Sequence, residues 1–371
     1  MTAKALPQNE AWQVMLVGDP HKPYDWVKGW KSCSRERRTK RGRMQSASSQ
    51  VARPQYSIDS RITRDAWMHG KCLSRWEHEY GQVHAGHFSG HTEVAWLGPV
   101  QLVYERIDHA FNYRGTPWPG SRVFFSYLPG SGDLFYDNRP VGASALVTHR
   151  WNGVDRINGS DRFNLVLATV DEQFLEEYLA AVPGLEDLFR NSQPVCYTSN
   201  PQAITAFQRT VYGVLQELTQ HPELLGHERI RAGFQQRVLD SIVAVVADHK
   251  APPNRLPAPS TRAYVVSRAI DYIESRLAEP ISLRDICTAG RVCPRTLSYA
   301  FAEVLGVSPK SYLLALRLNR AHRDLRDDKA PDSVQAIAGR WGFSHMSRFA
   351  HYYRSAFGER PSDTYRRRRC V

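Results

Sequence analysis

The sequence predicts an α+β multidomain chain. A β-rich sandwich or barrel-like domain with helices comes first, and an all-α domain of two helix-turn-helix units follows. Three observations carry this reading. A diverged repeat lies near the C-terminus, short aromatic and β-branched runs fill residues 60–172, and four prolines crowd Ala251 to Ser260. The expected divisions are a disordered basic tail (1–55), a β-rich domain ending in helices (60–250), a semi-stiff linker (251–260) and the helical domain (261–371).

The repeat is the most specific signal. One copy runs Ser282-Leu283 … Ile286 … Val292 … Leu297 … Phe301 … Leu305-Gly306 … Pro309. The other runs Ser333-Val334 … Ile337 … Phe343 … Phe349 … Tyr353 … Phe357-Gly358 … Pro361. Each reads as two short helices joined by a tight turn. In the first copy Ser282 and Asp285 fit a capping box, and Leu283 and Ile286 form an apolar stripe. Ala289-Gly290-Arg291 makes the turn, Val292 plugs it, and Pro294 suits the first position of the next helix. Leu297, Phe301 and Leu305 give that helix one buried face, and Gly306 ends it. In the second copy Ser333 caps, Gly342 turns, Phe343 plugs and Ser344 is expected to cap the second helix. Phe349, Tyr353 and Phe357 form its buried face.

The residues between these anchors face outward. They are Arg295, Thr296, Ser298 and Tyr299 in the first copy, and His345, Ser347, Arg348 and His351 in the second. Donors of this kind reach base edges in a major groove. Arg317, Arg320, Arg354 and Arg360 are the expected phosphate contacts. A helix starting at Ser308-Pro309 and ending before Asp327-Asp328 should join the copies. Its eighteen residues span about 27 Å. That length suits two recognition helices roughly one DNA turn apart.

Residues 263–369 resemble the DNA-binding domain of the AraC/XylS family of bacterial transcription regulators. The resemblance rests on Ser308-Pro309-Lys310-Ser311-Tyr312-Leu313 … Arg317-Leu318-Asn319-Arg320-Ala321 and on Ile337-Ala338-Gly339-Arg340-Trp341-Gly342-Phe343-Ser344. It extends through Phe349 … Tyr353-Arg354 … Phe357-Gly358-Glu359-Arg360-Pro361. It implies two helix-turn-helix units reading adjacent major grooves, with double-stranded DNA and RNA polymerase as partners. Two departures stand out. Arg291 follows Gly290 where the family often places its glycine one residue later, and Cys293 replaces a capping serine.

Charge is concentrated at the two ends. The net charge is +12. Residues 1–50 hold ten Lys/Arg against four Asp/Glu, and residues 317–369 hold thirteen against six, so the remainder sums to −1. The C-terminal excess suits salt-sensitive phosphate contacts, and Arg366 to Arg369 reads as a solvated tail. The run from Ser32 to Arg43 reads either as a nonspecific DNA-binding arm or as sequence ahead of a true start at Met44. No stretch of about 18 apolar residues predicts a membrane span, and no N-terminal apolar core predicts secretion. Six scattered cysteines without a CxxC pair suit reduced thiols in a cytoplasm.

Between residues 60 and 172 the runs from Val94, Val100, Arg122, Asp133, Ala145 and Phe163 are short and separated by Gly, Pro, Asn and Asp turns. They predict a small sandwich or barrel. Trp76 … Tyr80 … Gly86-His87-Phe88-Ser89-Gly90 is similar to the opening of the sensor domain in ethanolamine-utilisation activators of the same family. Three helices follow: Asp171 to Ala181, Pro201 to His221 and Glu228 to His249. The stripes Ile204, Phe207, Val211, Leu215, Leu218 and Ile230, Phe234, Val238, Ile242, Val245 fit either core packing or a homodimer interface.

Other chemistry has little support. His78, His84, His87, His91 and Glu93 cluster in sequence but lack a His-x-His pair, and no zinc-type cysteine spacing occurs, so neither a metal nor a cofactor is expected. No nucleophile elbow, phosphate-binding loop or dinucleotide fingerprint is present, and Glu176-Glu177 and Asp155 to Asp161 read as exposed helix and polar loop, so no catalytic residues are expected. Trp96, Tyr104, Phe124, Phe125, Tyr127, Phe135 and Tyr136 suit either a barrel core or a ligand pocket. The expectation is therefore a DNA-binding regulator, an activator responding to a small-molecule effector. The alternatives are a ligand-independent regulator controlled by abundance and a sensor enzyme fused to a DNA reader.

Overall fold

Thirteen strands and eleven α-helices are seen among the described residues. The computed structural model describes residues 56–132, 134–159, 162–181, 195–198, 200–247, 254–255, 260–327 and 333–367. The expected basic tail, most of the proline-rich linker and residues 368–371 lie outside them. The described chain from Tyr56 onward belongs to one compact unit.

The β-rich part is two antiparallel sheets that do not close into a barrel. The larger sheet has the order β1 (Tyr56–Thr63), β3 (Gly90–Leu97), β4 (Val100–Ile107), β11 (Phe163–Asp171), β6 (Ser121–Tyr127), β9 (Leu146–Arg150), β12 (Val195–Tyr197), β13 (Asn254–Arg255). The smaller has β2 (Glu77–Gln82), β5 (Phe111–Thr116), β10 (Asp155–Gly159), β7 (Leu134–Tyr136), β8 (Arg139–Pro140). A one-turn helix, α1 (Ala66–His69), joins β1 to β2.

The large sheet is covered on both faces, which explains its near-continuous apolar runs. Successive residues point to opposite faces. In β4, Val103 and Ile107 enter the sandwich interior, whereas Val100 and Leu102 pack under helices. In β6, Val123, Phe125 and Tyr127 face inward and Phe124 faces the helices. Those helices are α2 (Glu172–Ala180), α3 (Pro201–Gln220) and α4 (Glu228–Ala247). Asn200 and Asp171 cap α3 and α2 through their side chains.

This settles where the two apolar stripes go. Ile204, Phe207, Val211, Leu215 and Leu218 of α3 are all fully buried in one core with the sheet. Phe234, Val238, Ile242 and Val245 of α4 join them, with Ile230 at the margin. The stripes serve the core of their own chain. The aromatic set divides in the same way. Trp96, Phe125, Tyr127 and Tyr136 fill the sandwich, Phe124 and Tyr104 lie on the helix side, and Phe135 packs against the C-terminal helices.

One local expectation is corrected. Asp155 to Gly159 is a strand of the small sheet, not a polar loop. Asp155 is buried and accepts a hydrogen bond from the Tyr136 hydroxyl, with His149 Nε2 at 3.1 Å. Burial raises the Asp155 carboxyl well above its ordinary value and lowers His149 to about 4.

The C-terminal part is all helix: α5 (Thr261–Ser275), α6 (Leu283–Gly290), α7 (Pro294–Leu305), α8 (Pro309–Arg326), α9 (Val334–Arg340), α10 (Met346–Phe357) and α11 (Pro361–Arg367). Two cores hold it, one around α5–α7 and the first half of α8, the other around the second half of α8, α9 and α10.

Phe207 sits at the centre of the layer between α3 and the large sheet with no exposed surface. Phe207→Ala should lower the free energy of unfolding by roughly 3–5 kcal/mol. Urea titration at two protein concentrations checks this. A loss that appears only at the lower concentration would mean that the stripe joins two chains instead.

Candidate nucleic-acid interface

Each helix-turn-helix is set by local chemistry. In the first, Ser282 and Asp285 form the reciprocal capping box at the start of α6. The turn residue is Arg291, held left-handed at φ 55°. In the second copy the equivalent residue is Gly342, at φ 80°. An arginine pays a steric cost there that glycine does not. Gly306 and Gly358 end the two recognition helices left-handed, at φ 69° and 74°.

The caps of the recognition helices differ from the sequence reading. Ser344 lies one residue too early; His345 occupies the N-cap of α10 and makes no side-chain cap. Cys293 occupies the N-cap of α7, with its Sγ 3.2 Å from the Thr296 hydroxyl. That hydroxyl, with nearby backbone amides, lowers the thiol below its ordinary value.

The outward face of each recognition helix is assembled as a unit. Arg295, Thr296, Ser298 and Tyr299 are all exposed on α7, and the Arg295 guanidinium lies 5.6 Å from the centre of the Tyr299 ring. His345, Ser347, Arg348 and His351 are all exposed at the start and along α10. Leu297, Phe301, Phe349 and Tyr353 are fully buried behind them. The eight outward side chains thus project from two helices whose backs are fixed.

The four arginines assigned to phosphate divide into two pairs. Arg354 and Arg360 are exposed. Arg317 donates to the carbonyls of Leu277 and Glu279, the latter at 2.6 Å. Arg320 makes a two-pronged ion pair with Glu79 of β2. Sequence reasoning missed Glu79, because the contact spans 241 residues of chain.

Behind α10 the buried polar groups form a chain. His322 of α8 bonds through Nδ1 to the Tyr353 hydroxyl and stacks on Phe357 at 4.2 Å. The Tyr353 hydroxyl donates to Thr364, whose hydroxyl donates to Glu359. Burial, reinforced by Arg326 and Arg367, pushes His322 down to about 3. The imidazole therefore stays neutral and positions the recognition helix without a charge.

The five residues of the histidine cluster are spread out. His91 lies near Glu93 and Ser60, His84 near His109, and His87 beside Gly358. No group of three or more His, Cys, Asp or Glu able to share a metal ion occurs among the described residues. Among them, no helix is long and apolar enough to cross a membrane.

Comparison with known proteins bears on this geometry directly. Residues 286–368 match a helix-turn-helix domain family model. The chain is similar to the XylDLEGF operon transcriptional activator of Pseudomonas putida, 40% identical over 100 residues. A probable AraC family transcriptional regulator from Rhodopseudomonas palustris is 35% identical over 28% of this chain and 96% of that one, with a TM-score of 0.27. The helix-turn-helix domain is of the AraC/XylS type. A longer match joins it to the probable thc operon regulatory protein of Rhodococcus erythropolis, 29% identical over 201 residues and 53% of this chain. The chain spans 59% of the Rhodococcus protein and 31% of the Pseudomonas activator. Residues 286–368 thus form a helix-turn-helix domain similar to that of transcription regulators of this type.

The neutral His322 makes a pH prediction. Its folded value of about 3 lies below the ordinary 6.5 of the unfolded chain. Between those values the unfolded state takes up a proton that the folded state refuses, so the contribution to stability is intact above pH 6.5 and drains as pH falls. Compared with His322→Gln, which cannot titrate, the native chain should lose about 1.4 kcal/mol per pH unit in that window. Urea unfolding of both proteins at pH 7 and pH 5 tests it. A constant difference would show that the imidazole charges equally in both states.

Proposed function

We propose that the chain is a sequence-specific transcription activator that reads two adjacent major grooves and recruits RNA polymerase. The supporting observation is the pairing of eight exposed polar side chains on two helices with four fully buried anchors behind them. On this reading Arg295, Thr296, Ser298 and Tyr299 read bases in one groove, and His345, Ser347, Arg348 and His351 read the next. Arg354 and Arg360 hold phosphates in the conformation described. Arg317 and Arg320 join them only after leaving their present partners. The division into residues 60–250, a 251–260 linker and 261–371 remains the working one for domain function.

A small-molecule effector is the second part of the proposal. A cleft of about 420 Å³ lies between residues 82–85, one side of α8 as far as Asn319, and the end of α10, lined in part by Ser308, Leu314 and Tyr352. That volume falls within the range of small-ligand sites. One observation favours regulation by abundance instead: the cavity inside the sandwich measures only about 30 Å³. That is room for about one water. Thermal shift against a metabolite panel separates the two. Pairing of two copies would use surfaces other than the buried stripes of α3 and α4.

Affinity selection of genomic DNA fragments at near-physiological salt tests the reading. It should enrich a few sites carrying two motifs about one helical turn apart. Uniform, salt-labile capture would overturn sequence-specific reading. On an enriched site, Arg348→Ala should weaken binding by roughly 1–3 kcal/mol and relax preference at one position. An equal loss on every DNA would assign Arg348 to phosphate alone.

A further inference from the structure

The first helix-turn-helix holds two guanidiniums that the fold leaves unused. Arg284 and Thr288 lie four residues apart on α6, and Arg291 follows three residues later, so the three share one exposed face. Neither guanidinium makes an ion pair or a hydrogen bond among the described residues. Arg317 and Arg320 differ in this respect, being engaged with Leu277, Glu279 and Glu79. Arg284, Thr288 and Arg291 line an open cleft of about 550 Å³, and Cys293 and Pro294 line it too. No carboxylate is among its lining residues. The Thr288 hydroxyl is already given to the Arg284 carbonyl at 2.9 Å, so the polar chemistry of the cleft comes from the two arginines.

The cleft borders the reading face. Cys293 is the N-cap of α7, and its Sγ lies 3.2 Å from the hydroxyl of Thr296, one of the outward side chains. One rim of the cleft therefore runs into the face that presents Arg295 and Thr296. A helix-turn-helix brings the N-terminal end of its recognition helix to the base edges, and the phosphates that flank the groove pass beside that end. The second unit has no counterpart. Aligning Ser282 with Ser333 places Gln335, Gly339 and Gly342 opposite Arg284, Thr288 and Arg291. At Gly342 a Cβ would come within 3.0 Å of the Arg317 guanidinium, so that turn has no room for a side chain. The first turn has the room, and it keeps an exposed arginine at φ 55° where glycine would be less strained.

We infer that Arg284 and Arg291 hold a DNA backbone phosphate at the entry of the first recognition helix, an anchor that the second unit lacks. This rests on the proposed DNA-reading function and adds a binding site to it. A guanidinium offers paired donors that match phosphate oxygens, and two of them on one face suit a single anion between them. The contact fixes the register of α7 on the duplex and carries no sequence information of its own. Backbone affinity is then supplied differently by the two units. The first anchors through its turn, ahead of the reading helix, and the second through Arg354 and Arg360, at and beyond the end of its own.

The test uses the full chain, a site selected by the wild type and an unrelated duplex of the same length. Arg284→Gln and Arg291→Gln are combined; glutamine removes the charge and has nearly the helix propensity of arginine. Binding is measured across a range of salt concentrations, with thermal unfolding as the folding control. The double variant should bind both duplexes several-fold more weakly near physiological salt, by the same factor. The plot of log affinity against log salt should flatten by about 0.9 for the phosphate released. Arg284→Lys with Arg291→Lys should recover most of that slope. Arg209→Gln with Arg237→Gln, exposed on α3 and α4, removes the same charge elsewhere and should leave the slope nearly unchanged. Unaltered affinity and slope in the glutamine variant would overturn the inference. So would an equal loss in the Arg209 and Arg237 pair, or a loss confined to the selected site, which would assign the two arginines to bases. Absence of any selected site for the wild type would instead sink the DNA-reading proposal, while the unrelated duplex would still report the phosphate contact.

Discussion

The burial of α8 in two separate cores is the constraint on which the reading geometry depends. Its first half gives Tyr312, Leu313 and Leu316 to the core of the first unit, where the Tyr312 ring meets Phe301 edge-on at 5.8 Å. Its second half gives Leu318, Ala321 and Leu325 to the core of the second. Neither unit can shift along the helix without opening one of these cores. The separation of the two recognition helices is therefore set by the length of α8, a quantity that backbone hydrogen bonding keeps nearly constant. His322 extends the same constraint to polar groups by tying α8 to Tyr353 in a place where a charge would be costly.

The β-rich part meets α8 through a different kind of contact. Its own cores are apolar and covered on both faces of the large sheet, but the junction is largely ionic and amide in character. Val83, Ala110 and Phe135 add only a small apolar contribution to the core around α5. Partly exposed ion pairs contribute modestly to stability and respond to salt and to competing anions.

The two copies of the helix-turn-helix show how far a repeat can diverge while keeping its geometry. Both turns need one left-handed residue, and one copy supplies Gly342 while the other supplies Arg291. The steric strain of Arg291 is tolerated because the flanking contacts over-determine the turn: the capping box at Ser282, the Val292 plug and the buried Leu297. Neither recognition helix has a side-chain N-cap, and the second unit adds aromatic packing among Phe343, Phe349, Tyr353 and Phe357.

The C-terminal domain was legible in the sequence because helical periodicity, capping residues and terminating glycines are local signals that repeat. They located the recognition helices, the eighteen-residue joining helix and the buried anchors. They missed only details such as the shift of the cap from Ser344 to His345, which turns on one residue of backbone conformation. Six strands were also legible as apolar runs, while β2, β5 and β10 were not, since their small sheet mixes Asn, Arg, Gly and His with its aromatics. Two matters were decided by tertiary structure alone. Whether the stripes of α3 and α4 face their own sheet or another chain depends on what lies opposite, and periodicity carries no information about that. The pairing of Glu79 with Arg320 joins residues 241 positions apart. Electrostatic partners at that distance leave no local pattern, because charge acts through space and only the fold brings the two side chains together.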